Sequence, residues 1–87
     1  MIWQLKVKRR AEKDIADLPP KIRQQMLRRV LALEEEPRPH DSIALSGEPD
    51  AFRVDSGNYR ILYHIDTKTK EVTVFRVKHR KDVYRGL

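Results

Sequence analysis

The sequence predicts an α+β fold of order β-α-α-β-β-β, with two N-terminal helices packed on one face of a small antiparallel sheet. Three observations carry it. Apolar residues recur at helical spacing between Ala11 and Leu33. Tyr59, Ile61, Tyr63 and Ile65 alternate with other residues, the period of a strand with one buried face. The turn-forming stretches Ser56-Gly57-Asn58 and Thr67-Lys68-Thr69-Lys70 flank that strand. Connections this short join antiparallel neighbours, so the last three strands form a meander. Two amphipathic helices ahead of a sheet bury their stripes against one of its faces.

Trp3, Leu5 and Val7 alternate with Gln4 and Lys6, a short first strand. Ala11, Ile15 and Leu18 fall at i, i+4 and i+7, the stripe of a helix of two to three turns. Leu18-Pro19-Pro20 ends it, because proline disfavours helical geometry in the residue before it. Pro20 suits the first turn of the next helix, where its missing N–H is not needed. Ile22, Met26, Val30 and Leu33 make that helix's stripe, which Leu27 and Leu31 widen. Glu34-Glu35-Glu36 stands at its C-terminal end, where the helix dipole disfavours anions. Nothing in helix stability accounts for that placement. Pro37 stops the helix, and residues 37–50 read as loop, with Ile43-Ala44-Leu45 touching the core in passing. Ala51 to Asp55, Tyr59 to Asp66 and Glu71 to Lys78 are the meander strands, followed by a helical turn or irregular tail.

A chain of 87 residues makes one small domain, here residues 1–87. It has no cysteine, hence no disulfide framework and no thiolate metal site. Its three histidines lack close ligand spacing, and it has no glycine-rich phosphate loop, so neither a metal nor another cofactor is expected. No apolar run approaches the roughly 18 to 20 residues of a membrane span, and the first residues lack the apolar core of a signal peptide. A cytoplasmic protein with no membrane partner is the expectation.

Net charge is +6, which favours a polyanionic partner. Residues 76–87 carry five Lys/Arg against one Asp/Glu, whereas residues 37–75 carry five against six. The excess therefore sits at the C-terminal end, beside His79 and Tyr84. Strand alternation adds a face count. If Tyr59, Ile61, Tyr63 and Ile65 face the helices with Phe52 and Val54, then Arg53, Arg60 and His64 share the opposite face. The last strand is ambiguous, because Val72, Val74 and Arg76 form one set and Thr73, Phe75 and Val77 the other.

Phe52-Arg53-Val54, Asn58-Tyr59-Arg60-Ile61-Leu62-Tyr63 and Val77-Lys78-His79-Arg80-Lys81-Asp82-Val83-Tyr84 together resemble the toxins of the RelE/ParE superfamily. These are the stable partners of type II toxin–antitoxin pairs. The likeness covers nearly the whole chain, taking in Ala11 through Leu18-Pro19 and Leu45-Ser46-Gly47. For the RelE-like branch it implies a ribosome-dependent endoribonuclease, an mRNA interferase that cleaves messenger in the A site without a metal. By position, Arg60 matches the family's sheet arginine, Arg80 the arginine after the last strand and Tyr84 the C-terminal tyrosine. Arg53 matches a basic position in the first meander strand. His79 falls where some members carry a basic residue or histidine that takes part in catalysis. The implied catalytic set is Arg60, His79, Arg80 and Tyr84. The implied RNA-binding set is Arg53, Arg60, Arg76, Lys78, Arg80, Lys81 and Arg85. The sequence departs from the pattern at Asp55, where the best-known members carry a second lysine. The implied partners are a cognate antitoxin, acidic or partly disordered and RelB-like, together with the ribosome and mRNA. Operator DNA is reached only through the antitoxin.

These residue types suit that chemistry. Metal-free RNA cleavage uses the 2′-hydroxyl as nucleophile, with a base for its proton, an acid for the leaving 5′-oxygen and cations for charge developing on phosphorus. Arginine stays protonated and serves the last need. An imidazole ordinarily titrates near neutrality, so His79 is the expected acid–base group with Tyr84 as its partner. Two other readings compete: a ParE-like toxin that inhibits DNA gyrase by binding, and a non-catalytic basic RNA- or DNA-binding module.

Overall fold

The computed structural model describes residues 3–82. The elements are β1 (Gln4–Val7), α1 (Arg9–Ala16), α2 (Pro20–Ala32), β2 (Ile43–Ala44), β3 (Ala51–Ser56), β4 (Tyr59–Asp66) and β5 (Glu71–His79). They build one five-stranded sheet of order β1-β5-β4-β3-β2. The meander β3-β4-β5 is antiparallel, as its short turns require. In the first turn Gly57 takes φ +59°, a left-handed conformation that glycine adopts without penalty. In the second, the Asp66 carboxylate accepts the backbone N–H groups of Lys68 (3.0 Å) and Thr69 (3.2 Å). β1 adds in parallel beside β5, with Gln4 opposite Glu71 and Val7 opposite Val74. The two-helix crossover α1–α2 makes that parallel pairing possible.

Both helices cover the same face of the sheet. Ala11, Ile15 and Leu18 of the first and Met26, Val30 and Leu33 of the second meet Val54, Ile61, Tyr63, Ile65, Val72, Val74 and Val77. Trp3, Leu5, Val7, Ile22, Phe52 and Tyr59 close the margin. Among the described residues, no buried side chain of this core is polar or charged by class. Arg23 donates to the carbonyls of Ala16 and Leu18, supplying partners at the end of α1 where the helix has none of its own. The stripe of α2 is narrower than its sequence suggests. Leu27 and Leu31 lie on the solvent side, 42% and 55% exposed, because Met26, Val30 and Leu33 already fill the space over the sheet.

The loop 37–50 differs from expectation in one respect. Ile43 and Ala44 do not enter the core but pair with Arg53 and Phe52 and extend the sheet edge. Backbone pairing with β3 replaces apolar contact, and Ile43 stays half exposed. The loop is anchored by the buried Tyr63, whose hydroxyl donates to the Pro37 carbonyl at 2.7 Å. Desolvation by burial raises the Tyr63 pKa from its ordinary value near 10 to about 12. The glutamate run also gains a role. The Glu34 carbonyl accepts the Trp3 N–H at 2.9 Å, and the Glu36 carboxylate accepts the Arg38 N–H at 3.1 Å.

Candidate functional site

Alternation along β3, β4 and β5 carries every second side chain to the face that the helices leave uncovered. Arg53 and Asp55 come from β3, and Arg60, Leu62 and His64 from β4. Cross-strand partners share a face, and register pairs Arg53 with Leu62, Asp55 with Arg60, Arg60 with Lys78 and His64 with Thr73. Arg60 and Lys78 are therefore direct neighbours across β4 and β5. Two adjacent cations repel unless anions intervene. The Asp55 carboxylate is one such anion, accepting from Arg60 Nε at 3.2 Å. The Arg60 side chain is 15% exposed, so its stem lies along the sheet while Asp55, at 55%, remains in solvent.

Arg80 follows the same register. Its N–H donates to the Asn58 carbonyl at 2.8 Å, one step beyond the Tyr59–His79 pair. Arg80 itself stands in the turn that follows β5. His79, the residue after Lys78, points to the opposite face from it. Its ring meets Tyr59 edge-on at 5.1 Å, on the side where Tyr59 packs against the core, and its Nδ1 accepts the Lys81 N–H at 3.2 Å. Of the four residues expected to act in catalysis, Arg60 lies on the uncovered face, Arg80 in the turn after β5, and His79 on the helix-covered side. Tyr84, and Arg85 of the RNA-binding set, lie outside the described residues.

A bulge decides the rest of β5. Pairing steps from Leu62–Arg76 to Tyr63–Val74 and skips Phe75. The extra residue shifts the alternation, so Val72, Val74 and Val77 all reach the core although their spacing is not uniformly two. Phe75 stands on the uncovered face, its ring stacked on His64 at 4.6 Å and 24°. Arg76 turns to α1, where its Nε and Nη2 donate to the two Asp14 carboxylate oxygens at 2.8 and 3.3 Å. The same carboxylate accepts the Val77 N–H at 2.9 Å, replacing the strand partner that β1 no longer supplies beyond Val7. Arg53, Arg60 and Lys78 thus share the uncovered face, while Arg76 is held by Asp14, and Arg80 and Lys81 are exposed in the turn at the strand end. Asp14 and Phe75 escaped the sequence reading, because a bulge leaves no signature in a run such as Val72-Thr73-Val74-Phe75-Arg76-Val77. Among the described residues, no group of three or more His, Cys, Asp or Glu is arranged to hold a metal ion.

Two N-terminal helices packed on one face of a small sheet match the RelE-like topology. The sequence model of the ParE toxin of type II toxin–antitoxin systems matches residues 5–84. The chain belongs to the RelE/ParE toxin superfamily. It is 33% identical over 76 residues to Toxin RelG of Mycobacterium tuberculosis, spanning 86% of this chain and 87% of that one. A chain of the RelBE2 toxin–antitoxin complex of M. tuberculosis superposes with a TM-score of 0.80 at 29% identity, covering 92% of this chain and all of that one. A chain of the archaeal RelE–RelB complex of Pyrococcus horikoshii gives 0.81 at 29% identity, covering 92% and 97%. A mutant of E. coli toxin RelE in the free state gives 0.78 at 26% identity, covering 95% and 88%.

Proposed function

We propose that this toxin is a ribosome-dependent mRNA endoribonuclease that cleaves by attack of the 2′-hydroxyl on the adjacent phosphorus, without a metal. The observation that carries the reading is the pairing of Arg60 with Lys78 on the uncovered sheet face, with Arg80 following directly at the end of β5. Arg60 and Arg80 hold the scissile phosphate and stabilise the charge that develops on it, with Lys78 between them and Arg53 on a neighbouring phosphate. Proton transfer falls to Tyr84, at the position of the family's C-terminal tyrosine. The contact of His79 with Tyr59 suits that residue to hold the strand end. The cognate antitoxin, an acidic segment that orders on binding, covers the exposed Leu27 and Leu31 and reaches the basic strand end. Co-purification from the native operon checks the pairing.

Single-turnover cleavage on programmed ribosomes tests the enzymatic reading. The expected product is a cut within the A-site codon. Arg60→Ala or Arg80→Ala reduces the rate by about 10²- to 10³-fold with thermal unfolding little changed. Tyr84→Phe reduces it by about 10²- to 10⁴-fold, more than His79→Ala does. The reverse ranking returns the proton transfer to His79. One observation favours a second reading: the matching sequence model is that of the ParE toxins, a branch that inhibits gyrase by binding. Intact messenger on ribosomes, together with inhibited supercoiling, would establish that reading instead.

A further inference from the structure

We propose that the His64–Phe75 pair is a stacking platform for a nucleobase one or two nucleotides from the scissile phosphate. This deepens the reading above and rests on it. A phenylalanine on the uncovered face of a sheet is out of place, since Phe75 contributes nothing to the core beneath the helices. The bulge sets it there, and bulges re-aim side chains beside functional sites. Its ring lies nearly parallel to the His64 imidazole, 4.6 Å between centroids. Leu62, two residues before His64 on the same face of β4, is 0% exposed, while the two rings remain only partly buried.

Position ties the platform to the cations. His64 follows Arg60 by four residues on β4, about 13 Å at the rise of a strand. A single strand whose phosphate sits on Arg60 and Lys78 reaches the rings with its neighbouring nucleotides. Beside His64 lies a cavity of about 430 Å³ lined also by Asp50, Asp66, Lys68 and Thr73. It offers both donors and acceptors to the edge of a stacked base. Every base has a π-face, so the platform adds affinity without demanding one sequence.

The test is an abasic scan. The probe is a fluorescein-labelled nonamer RNA with 2′-O-methyl groups throughout, which the toxin cannot cleave, and binding is read by anisotropy. Removing the base at one or two adjacent positions lowers wild-type affinity by about 5- to 150-fold, the worth of one stacked base, and leaves other positions near unity. Phe75→Leu keeps an apolar side chain at that position and abolishes that positional difference. His64→Leu gives the same result by an independent route should the first variant fold poorly. Arg60→Ala lowers affinity equally for every probe in the scan. A flat abasic profile in the wild type, or a profile that survives both ring variants, overturns the platform. With A-site cleavage intact, that outcome leaves the nuclease reading standing. Loss of A-site cleavage in the wild type overturns the nuclease reading itself.

Discussion

The two faces of this sheet are made by the same strands and obey different rules. On the covered face Ile61, Tyr63, Ile65, Val72, Val74 and Val77 pack under the helices, each 4% exposed or less. On the uncovered face Arg53, Arg60 and Lys78 gather beside a histidine and a phenylalanine, with Leu62 and Ala51 buried among them. A period of two separates the tasks residue by residue. Stability rests with one set, because apolar burial contributes roughly 1.5–3 kcal/mol per large side chain. Charge rests with the other, where like cations raise the energy of the empty protein and an anion relieves it. The difference teaches that a small domain places a basic face next to its core by using alternate positions of one strand.

Substitutions on the two faces should therefore diverge. Ile61→Ala, at a site with no exposure, is expected to cost about 2–5 kcal/mol in urea unfolding. Its neighbour Arg60→Ala should cost no more than about 1 kcal/mol, since its Asp55 partner is largely in solvent. Equal losses at the two positions would break the comparison. A smaller effect is expected where the faces meet. Asp14 serves Arg76 and the Val77 N–H together, with both side chains less than a quarter exposed. Asp14→Ala should cost about 1.5–3 kcal/mol, because it strands a cation and a backbone donor. Asp14→Asn should recover part of this by keeping an acceptor. Hydrogen exchange at Val77 reads the local consequence.

Tyr63 gives the covered face a pH signature. Its hydroxyl is buried on the Pro37 carbonyl, and its pKa is pushed up to about 12 from near 10. The raised value means that the folded state favours the protonated phenol. That stability is fully present below pH 10 and is lost as pH rises toward 12. Tyr63→Phe should cost about 0.5–1.5 kcal/mol at neutral pH and flatten the alkaline limb of the stability curve. An alkaline limb identical in the variant would show that another group is responsible. At the acid end the sign reverses. Asp66 is lowered by the Thr69 and Lys68 N–H groups, and Glu71 by Lys6 and Thr69. Their contribution is present above the ordinary carboxylate range and is lost as pH falls below it.

The covered face was legible because hydrophobic periodicity reports burial directly. Ala11, Ile15 and Leu18, then Met26, Val30 and Leu33, then Tyr59 through Ile65, all fell where their spacing placed them. Arg60 and Arg53 followed by subtraction. What periodicity could not show was pairing between distant segments. The parallel seat of β1 beside β5 depends on where two helices return the chain. Leu27 and Leu31 extend an apolar stripe on paper, but the sheet is wide enough only for the residues beside them. The bulge at Phe75 is one extra residue in an otherwise regular run, and it decides where Phe75, Arg76 and Val77 point. The orientation of His79 toward Tyr59 follows from that register, which the sequence conceals.

The finest test of the uncovered face is Asp55. It stands where the resemblance to RelE toxins implies a lysine, and here it meets Arg60 Nε at 3.2 Å. A carboxylate in that position competes with phosphate for the same guanidinium. Its exposure of 55% means that water and salt weaken the pair, so removing the charge should alter stability little. Asp55→Asn keeps the shape and deletes the charge. Affinity for the uncleavable RNA should rise by about two- to fivefold at low salt, the worth of roughly 0.4–1 kcal/mol for one partly exposed charge. The gain should shrink as salt is raised, because screening at about 1 M confines charge interactions to about 3 Å. A salt-independent gain would mean that Asp55 acts through the shape of the face rather than its charge. A loss of affinity would mean that Asp55 orients Arg60 toward the phosphate instead of occupying it, which makes the acid part of the clamp.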